Sequence, residues 1–205
     1  MAPRGRRHSG CTNPDMTAVP ATDQRSPETV SHLVALLRDF DAATLVTRCR
    51  GGGLHGRPMS VARVDDDATL WFITSTASAK SHELADDARA MVTLQGGDRF
   101  ACLNGNAELV FDPLQIKKLW QKQFRAWFSS PHDADIVLVR FNGFDAEYWD
   151  NSGPTSSKHA FQAARAYATG RPLEPAADAN ETQSHARIKL WDPGVSSSSN
   201  SDDGE

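Results

Sequence analysis

From Ala43 to Asp150 the chain falls into short runs of β-branched, aromatic and aliphatic residues, each closed by a turn of glycine or aspartate. That rhythm limits the fold more than any other feature. The runs Ala43–Arg50, Arg57–Val64, Thr69–Thr74, Ala90–Leu94, Phe100–Leu103, Asn106–Phe111, Asp135–Asn142 and Phe144–Trp149 have strand length and strand composition. Gly51-Gly52-Gly53 with Gly56, Asp65-Asp66-Asp67, Gly96-Gly97-Asp98 and Asn142-Gly143 form turns between them, and Gly105 is expected to break a run. Turns this short join antiparallel neighbours. About six or seven such strands with few helices predict an antiparallel barrel. A Rossmann unit is not supported, because no GxGxxG lies between a strand and a helix.

The helices announce themselves by their caps. Ser26-Pro27-Glu28 places a capping hydroxyl, an N1 proline and an acid at a helix start. Val30, Leu33, Val34, Leu37 and Phe40 continue it at helical spacing to near Asp41. Ser78–Asp86 reads as a short helix with Leu84 and Ala85 on its apolar side. Asp112-Pro113 repeats the capping signal, and Leu114, Ile116, Leu119, Trp120 and Phe124 follow, which sets Trp120 and Trp127 on one face of a longer helix. Ser156–Ala168 predicts a last helix and Ala186–Leu190 a short strand.

Residues 1–26 are polar and aperiodic and read as a disordered leader, residues 27–191 as the folded domain, and residues 192–205 as a disordered acidic, Ser-rich tail. The leader carries Arg4, Arg6, Arg7 and Arg25, and the tail carries Asp192, Asp202, Asp203 and Glu205. With a net charge of -4 there is no basic stripe, so no nucleic-acid partner is expected. No window approaches the ~18 consecutive apolar residues of a spanning helix, so no membrane role is expected. Three cysteines without CxxC spacing (Cys11, Cys49 and Cys102) make a poor disulfide framework and point to a cytoplasmic protein. Cys49 and Cys102 are expected to be small buried hydrophobes. No apolar stretch follows the first arginines, so no secretory signal is expected, and Met16 is an alternative start. The histidines show no metal-ligand spacing, and Asp65-Asp66-Asp67 reads as a solvated turn, so no metal site is expected.

Chemistry concentrates between Arg57 and Lys80. Arg57 opens one strand, the next strand ends at Thr74, and Ser78-Ala79-Lys80 opens the short helix. A helix start offers free N–H groups and a positive dipole. With the hydroxyls of Thr74 and Ser78, the ammonium of Lys80 and the fork of Arg57, these residues make a candidate phosphate cradle. His55, in the turn before Arg57, is the histidine placed to approach it.

Arg57-Pro58-Met59-Ser60-Val61, Trp71-Phe72-Ile73-Thr74 and Ser78-x-Lys80, in this order and spacing, resemble the flavin-binding split barrel of the pyridoxamine 5'-phosphate oxidase-like superfamily. The closer resemblance is to its bacterial general stress protein branch. Leu103-Asn104-Gly105-Asn106-Ala107, Leu119-Trp120, Trp127-Phe128 and Ala146-Glu147-Tyr148-Trp149-Asp150 extend it over roughly residues 30–190. The resemblance implies a six-stranded antiparallel split barrel with flanking helices, and a homodimer holding flavin mononucleotide (FMN) in clefts between the subunits, with FAD as an open alternative. By position, Arg57, Ser78 and Lys80 would hold the FMN phosphate with help from Thr74. Met59 and Ser60 would offer main-chain groups to the isoalloxazine edge, and Ile73 would line the cleft.

The departures from the oxidases bear on activity. Ala62 stands where the oxidases carry a substrate-contacting lysine, and Phe100 where they carry a flavin-contacting glutamine. The Tyr/Arg/Ser substrate-phosphate set has no counterpart around Lys117–Arg125, and the Ser/Asp tail replaces a Trp-and-Arg segment. The expectation is flavin binding of the general stress protein type, redox-related but without efficient oxidase activity. The alternative is an active flavin-dependent oxidoreductase, and no catalytic residue is assigned.

Overall fold

The computed structural model describes residues 26–150, 152 and 185–190. The expected leader before Ser26, the helix at 156–168 and the acidic tail at 192–205 lie outside the described residues.

Helix α1 (Pro27–Arg38) starts where the cap predicts, with the Ser26 hydroxyl accepting the Thr29 N–H at 3.1 Å. Strands β1 (Ala42–Arg48), β2 (Leu54–Val64) and β3 (Leu70–Ser75) follow, then helix α2 (Ala79–Asp86). Strands β4 (Arg89–Gly96) and β5 (Arg99–Val110) lead to helix α3 (Pro113–Leu119) and a 3-10 turn (Lys122–Ala126). Strand β6 (Ile136–Asp150) and strand β7 (His185–Lys189) complete the described elements. Every pairing is antiparallel, in the order β3-β2-β1-β4-β5-β6-β7, and β3 also pairs with β6. The first six strands therefore close into a barrel, and β7 extends the sheet beyond β6.

The inner face follows the strand alternation. Ala43, Leu45 and Thr47 turn inward from β1, and Leu70 and Phe72 from β3. α1 adds Leu33, Val34, Leu36 and Leu37 to that core, and α2 adds Leu84. A second apolar cluster lies on the outer face, where Ala62, Trp71, Ile73, Ile136 and Leu138 are covered by Ile116, Leu119 and Phe124.

The structure corrects four expectations. Gly56 lies inside β2, not in the preceding turn. Gly105 does not end a run: β5 passes through it with a register shift at Asn104/Gly105, and β6 likewise runs unbroken through Asn142-Gly143. A Cβ on Gly105 would lie 2.2 Å from the Asn142 carbonyl oxygen, so glycine serves close approach of two strands. α3 stops at Leu119, so Trp120 and Trp127 do not share a helix face, and Trp127 is 67% exposed. Cys49 and Cys102 are half-buried, not fully buried, and burial raises the Cys102 thiol pKa, which keeps it in the unreactive thiol form.

Candidate functional site

β2 bonds to β1 along Leu54–Ser60, but its pairing with β3 begins only at Val61. β3 in turn pairs with β6 over Ile73–Ser75, where no β2 residue faces it. Among the described residues the barrel wall is thus split between these two segments. α2 begins beside the split, four residues after β3 ends, and its N-cap is Ser78.

The start of α2 is tied to β3 through hydroxyls. Ser81 is buried and donates to the Ser75 carbonyl at 2.7 Å. Its donor being spent, Ser81 receives the Ser78 hydroxyl proton at 2.9 Å. Lys80 Nζ donates to Thr74 Oγ1 at 2.8 Å. Thr74 lies 3.4 Å from Ser78 Oγ, a long contact that leaves its proton able to turn elsewhere. Among the described residues no carboxylate lies within ion-pair distance of Lys80. Burial lowers the Lys80 pKa, and the charge of Arg57 lowers it further, with Glu83 opposing. A half-buried ammonium beside a second cation, at a helix start, is a place built for an anion.

Arg57 approaches from β2. It stands opposite Leu45 of β1, and His55 stands opposite Thr47, so all four share the inner face. Arg57 Nη1 donates to Thr47 Oγ1 at 2.5 Å, and Nη2 donates to Glu83 Oε2 at 2.6 Å. Thr47, fully buried, donates to the same Glu83 oxygen at 2.5 Å. His55 Nδ1 meets the other oxygen, Oε1, at 2.7 Å. Burial would raise the Glu83 pKa, but hydrogen bonds from Thr47, His55 and Arg57 and the Arg57 charge bring it to about 2. Glu83 is therefore a carboxylate at any ordinary pH.

The fold brings Arg57, Thr74, Ser78 and Lys80 together. Met59 turns into the barrel core beyond Arg57, and Ser60 is half-buried on the other face of β2. Ile73 turns away from Thr74 into the outer cluster. Ala62 packs in that same outer cluster, while Phe100 pairs across the sheet with Trp149, whose ring stacks on His185 at 4.9 Å. Glu83 and Thr47 escape sequence reasoning. Two signals mark them: Glu83 follows Lys80 at i+3 on one helix face, and Thr47 holds the third inward position of β1 after Ala43 and Leu45.

A separate cavity of about 300 Å³ lies against the later part of β2, lined by Arg38, Asp41, Arg63 and Gln121 among others. Its arginines are already engaged, Arg38 by the Val64 carbonyl and Asp66, Arg63 by Asp65. Lys80, with no carboxylate at ion-pair distance among the described residues, makes the cradle the stronger anion site. The Asp65–Asp67 turn is likewise accounted for: Asp65 accepts from Trp71 Nε1 and Asp67 from the Thr69 N–H. Among the described residues no group of three or more His, Cys, Asp or Glu is arranged to hold a metal, and none of the helices is long and apolar enough to cross a membrane.

The sequence profile of the family described as "Pyridoxamine 5'-phosphate oxidase like" matches residues 28–174. The chain belongs to this family. Its barrel superposes on family-like barrels of known structure. A Jannaschia protein assigned as a general stress protein 26 aligns at TM-score 0.58 and 22% identity, over 80% of this chain and 99% of that one. General stress protein 26 of Bacillus anthracis aligns at TM-score 0.53 and 20% identity, over 60% and 92%. The general stress FMN/FAD binding protein of Xanthomonas citri aligns at TM-score 0.52 and 25% identity, over 62% and 92%. No curated protein matches the sequence. This pyridoxamine 5'-phosphate oxidase-like chain shares the closed antiparallel barrel of these structures; among its described residues the six barrel strands are joined by one further strand and three α-helices.

Proposed function

We propose that this protein binds FMN as a general stress protein of the pyridoxamine 5'-phosphate oxidase-like family, and that it is a poor pyridoxamine phosphate oxidase. One observation carries the reading: Lys80, half-buried and bonded to the Thr74 hydroxyl, stands within charge range of Arg57 at the start of α2. The donor set fits a phosphate monoester. Lys80 keeps two N–H donors, Arg57 keeps three, Thr74 keeps its hydroxyl, and the Ala79 and Lys80 backbone N–H groups have no intrahelical partner. The split beside them leaves the main-chain groups of Ser60 facing an open edge, suited to the polar rim of a flavin ring, while those of Met59 turn to Ala43 of β1. The name of the Xanthomonas relative, an FMN/FAD binding protein, supports the same ligand class.

When bound, the flavin would supply redox chemistry. This chain's residues would hold its phosphate and orient its ring. Ala62 offers no cation to a substrate phosphate, and Arg63, over the Trp71 ring on the same outer face, is already paired with Asp65, so pyridoxamine phosphate would be held weakly. The exposed apolar side chains of Leu54, Phe111, Leu114 and Trp127 favour a second copy of the chain as partner. FAD is the alternative ligand: its flavin-side phosphate stands at the same end of the ribityl chain, but as a diester it carries less charge for Lys80 and Arg57 to meet.

Titration of the purified protein with FMN and with riboflavin tests the reading, because only FMN carries the phosphate. Arg57→Ala and Lys80→Ala are each expected to weaken FMN binding about tenfold or more while riboflavin binding stays within about twofold. Equal losses for both ligands, or no flavin binding by the wild type, would sink it.

A further inference from the structure

We propose that Glu83, with Thr47, is a positioning residue that fixes the plane of the Arg57 guanidinium before any phosphate arrives. The inference rests on the cradle reading above and deepens it. Arg57 is 19% exposed and Glu83 11%, so both charges are largely withdrawn from water and need partners. The three side chains close a ring. Arg57 gives one nitrogen to Thr47 and the other to Glu83 Oε2, and Thr47 gives its proton to that same oxygen. Each contact comes from a different element: β2 supplies Arg57, β1 supplies Thr47 and α2 supplies Glu83. An arginine gripped at both terminal nitrogens has lost its torsional freedom, and its remaining N–H groups keep fixed directions in the plane of the guanidinium. Its ordering cost is then met on folding and not on ligand binding, which is what preorganisation means for affinity.

The geometry also separates position from charge. Thr47 and Arg57 both use Oε2, whereas His55 alone uses Oε1. A glutamine at position 83 can set its oxygen in the place of Oε2 and its NH₂ in the place of Oε1, donating to a neutral His55 Nδ1. Glu83→Gln thus keeps the grip and removes the charge. Glu83→Ala removes both.

FMN and riboflavin titrations of the full chain read the difference. Glu83→Ala is expected to weaken FMN about tenfold and leave riboflavin within about twofold. Glu83→Gln is expected to restore FMN to within about threefold of the wild type, or to exceed it, since a repelling charge is gone. Thr47→Val, nearly isosteric, loosens the other nitrogen and is expected to weaken FMN severalfold, which keeps the test open if Glu83→Ala does not fold. An alanine variant that binds FMN like the wild type overturns the inference. So does an alanine variant that loses FMN and riboflavin alike, or a glutamine variant as weak as the alanine one. If the wild type itself does not prefer FMN to riboflavin, the cradle reading fails first.

Discussion

Lys80 has three N–H donors and gives one of them to Thr74 Oγ1. Burial, and then the neighbouring Arg57 charge, lower its pKa from the ordinary 10.5. The folded protein therefore releases this proton at a lower pH than the unfolded chain does. Between the lowered value and 10.5 the unfolded chain holds more protons, so this group adds stability to the ligand-free protein as pH rises through that window. A bound phosphate reverses the preference, because a dianion nearby favours the ammonium. The phosphate itself changes charge near pH ~6 and is a dianion throughout the alkaline range. The preference for FMN over riboflavin is thus expected to fall as pH rises through the Lys80 titration. Lys80→Arg, which does not titrate there, should hold that preference flat. Flavin titrations at a series of alkaline pH values check both, and a wild-type ratio that stays constant up to pH ~10.5 contradicts the role given to Lys80.

At the scale of elements, α3 shows what a hydrophobic period leaves out. Leu114, Ile116, Leu119, Trp120 and Phe124 keep helical spacing, yet the helix ends at Leu119 and Trp120 turns extended. No proline or glycine marks the stop. The cause lies some sixty residues earlier, at the β2 bulge between Val61 and Arg63, where the Ala62 carbonyl loses its ladder partner. Gln121 leaves the helical path and donates its side-chain amide to that carbonyl at 2.8 Å. Gln121→Leu would leave a half-buried carbonyl without its donor. The expected cost is about 1 kcal/mol, read as a lowered denaturant midpoint with an unchanged slope; a stabilising change would contradict the account. The same limit explains which parts of the site were legible. Ser26, Ser78 and Asp112 were readable as caps because a cap acts on the next few residues. Arg57, Thr74, Ser78 and Lys80 were readable because β2, β3 and α2 are consecutive. The Glu83–Thr47 grip was not, since it depends on β1 lying next to β2 in register. Nor was the continuity of β5 and β6 through their glycines, since a bulge and a turn use the same residue and only the partner strand decides between them.

For the whole molecule, the barrel is closed by the β3–β6 pairing but is not uniform around its wall. β5 and β6 face each other from Arg99–Asp150 to Val110–Leu138, and each has a further neighbour, β4 on one side and β3 with β7 on the other. Amides in that wall can open only with much of the core. The Leu54–Ser60 part of β2 and the Ile73–Ser75 part of β3 each have one strand neighbour and face the split. Opening there breaks fewer bonds and exposes less apolar surface, so hydrogen exchange should be fastest along these two segments among the six strands of the barrel. The protein's net charge is -4, but Arg57 and Lys80 bring positive charge to the same split. A ligand seated there would supply the hydrogen bonds and the counter-charge that the wall lacks. With FMN added, exchange is expected to slow at residues 55–61 of β2 and at 74–81 across the end of β3 and the start of α2, while the β5–β6 ladder stays unchanged. Riboflavin should protect the β2 segment and leave the start of α2 nearly as before, because only the phosphate reaches Lys80. Protection confined to the β5–β6 wall, or equal protection of the α2 start by both ligands, would place the flavin elsewhere on the barrel.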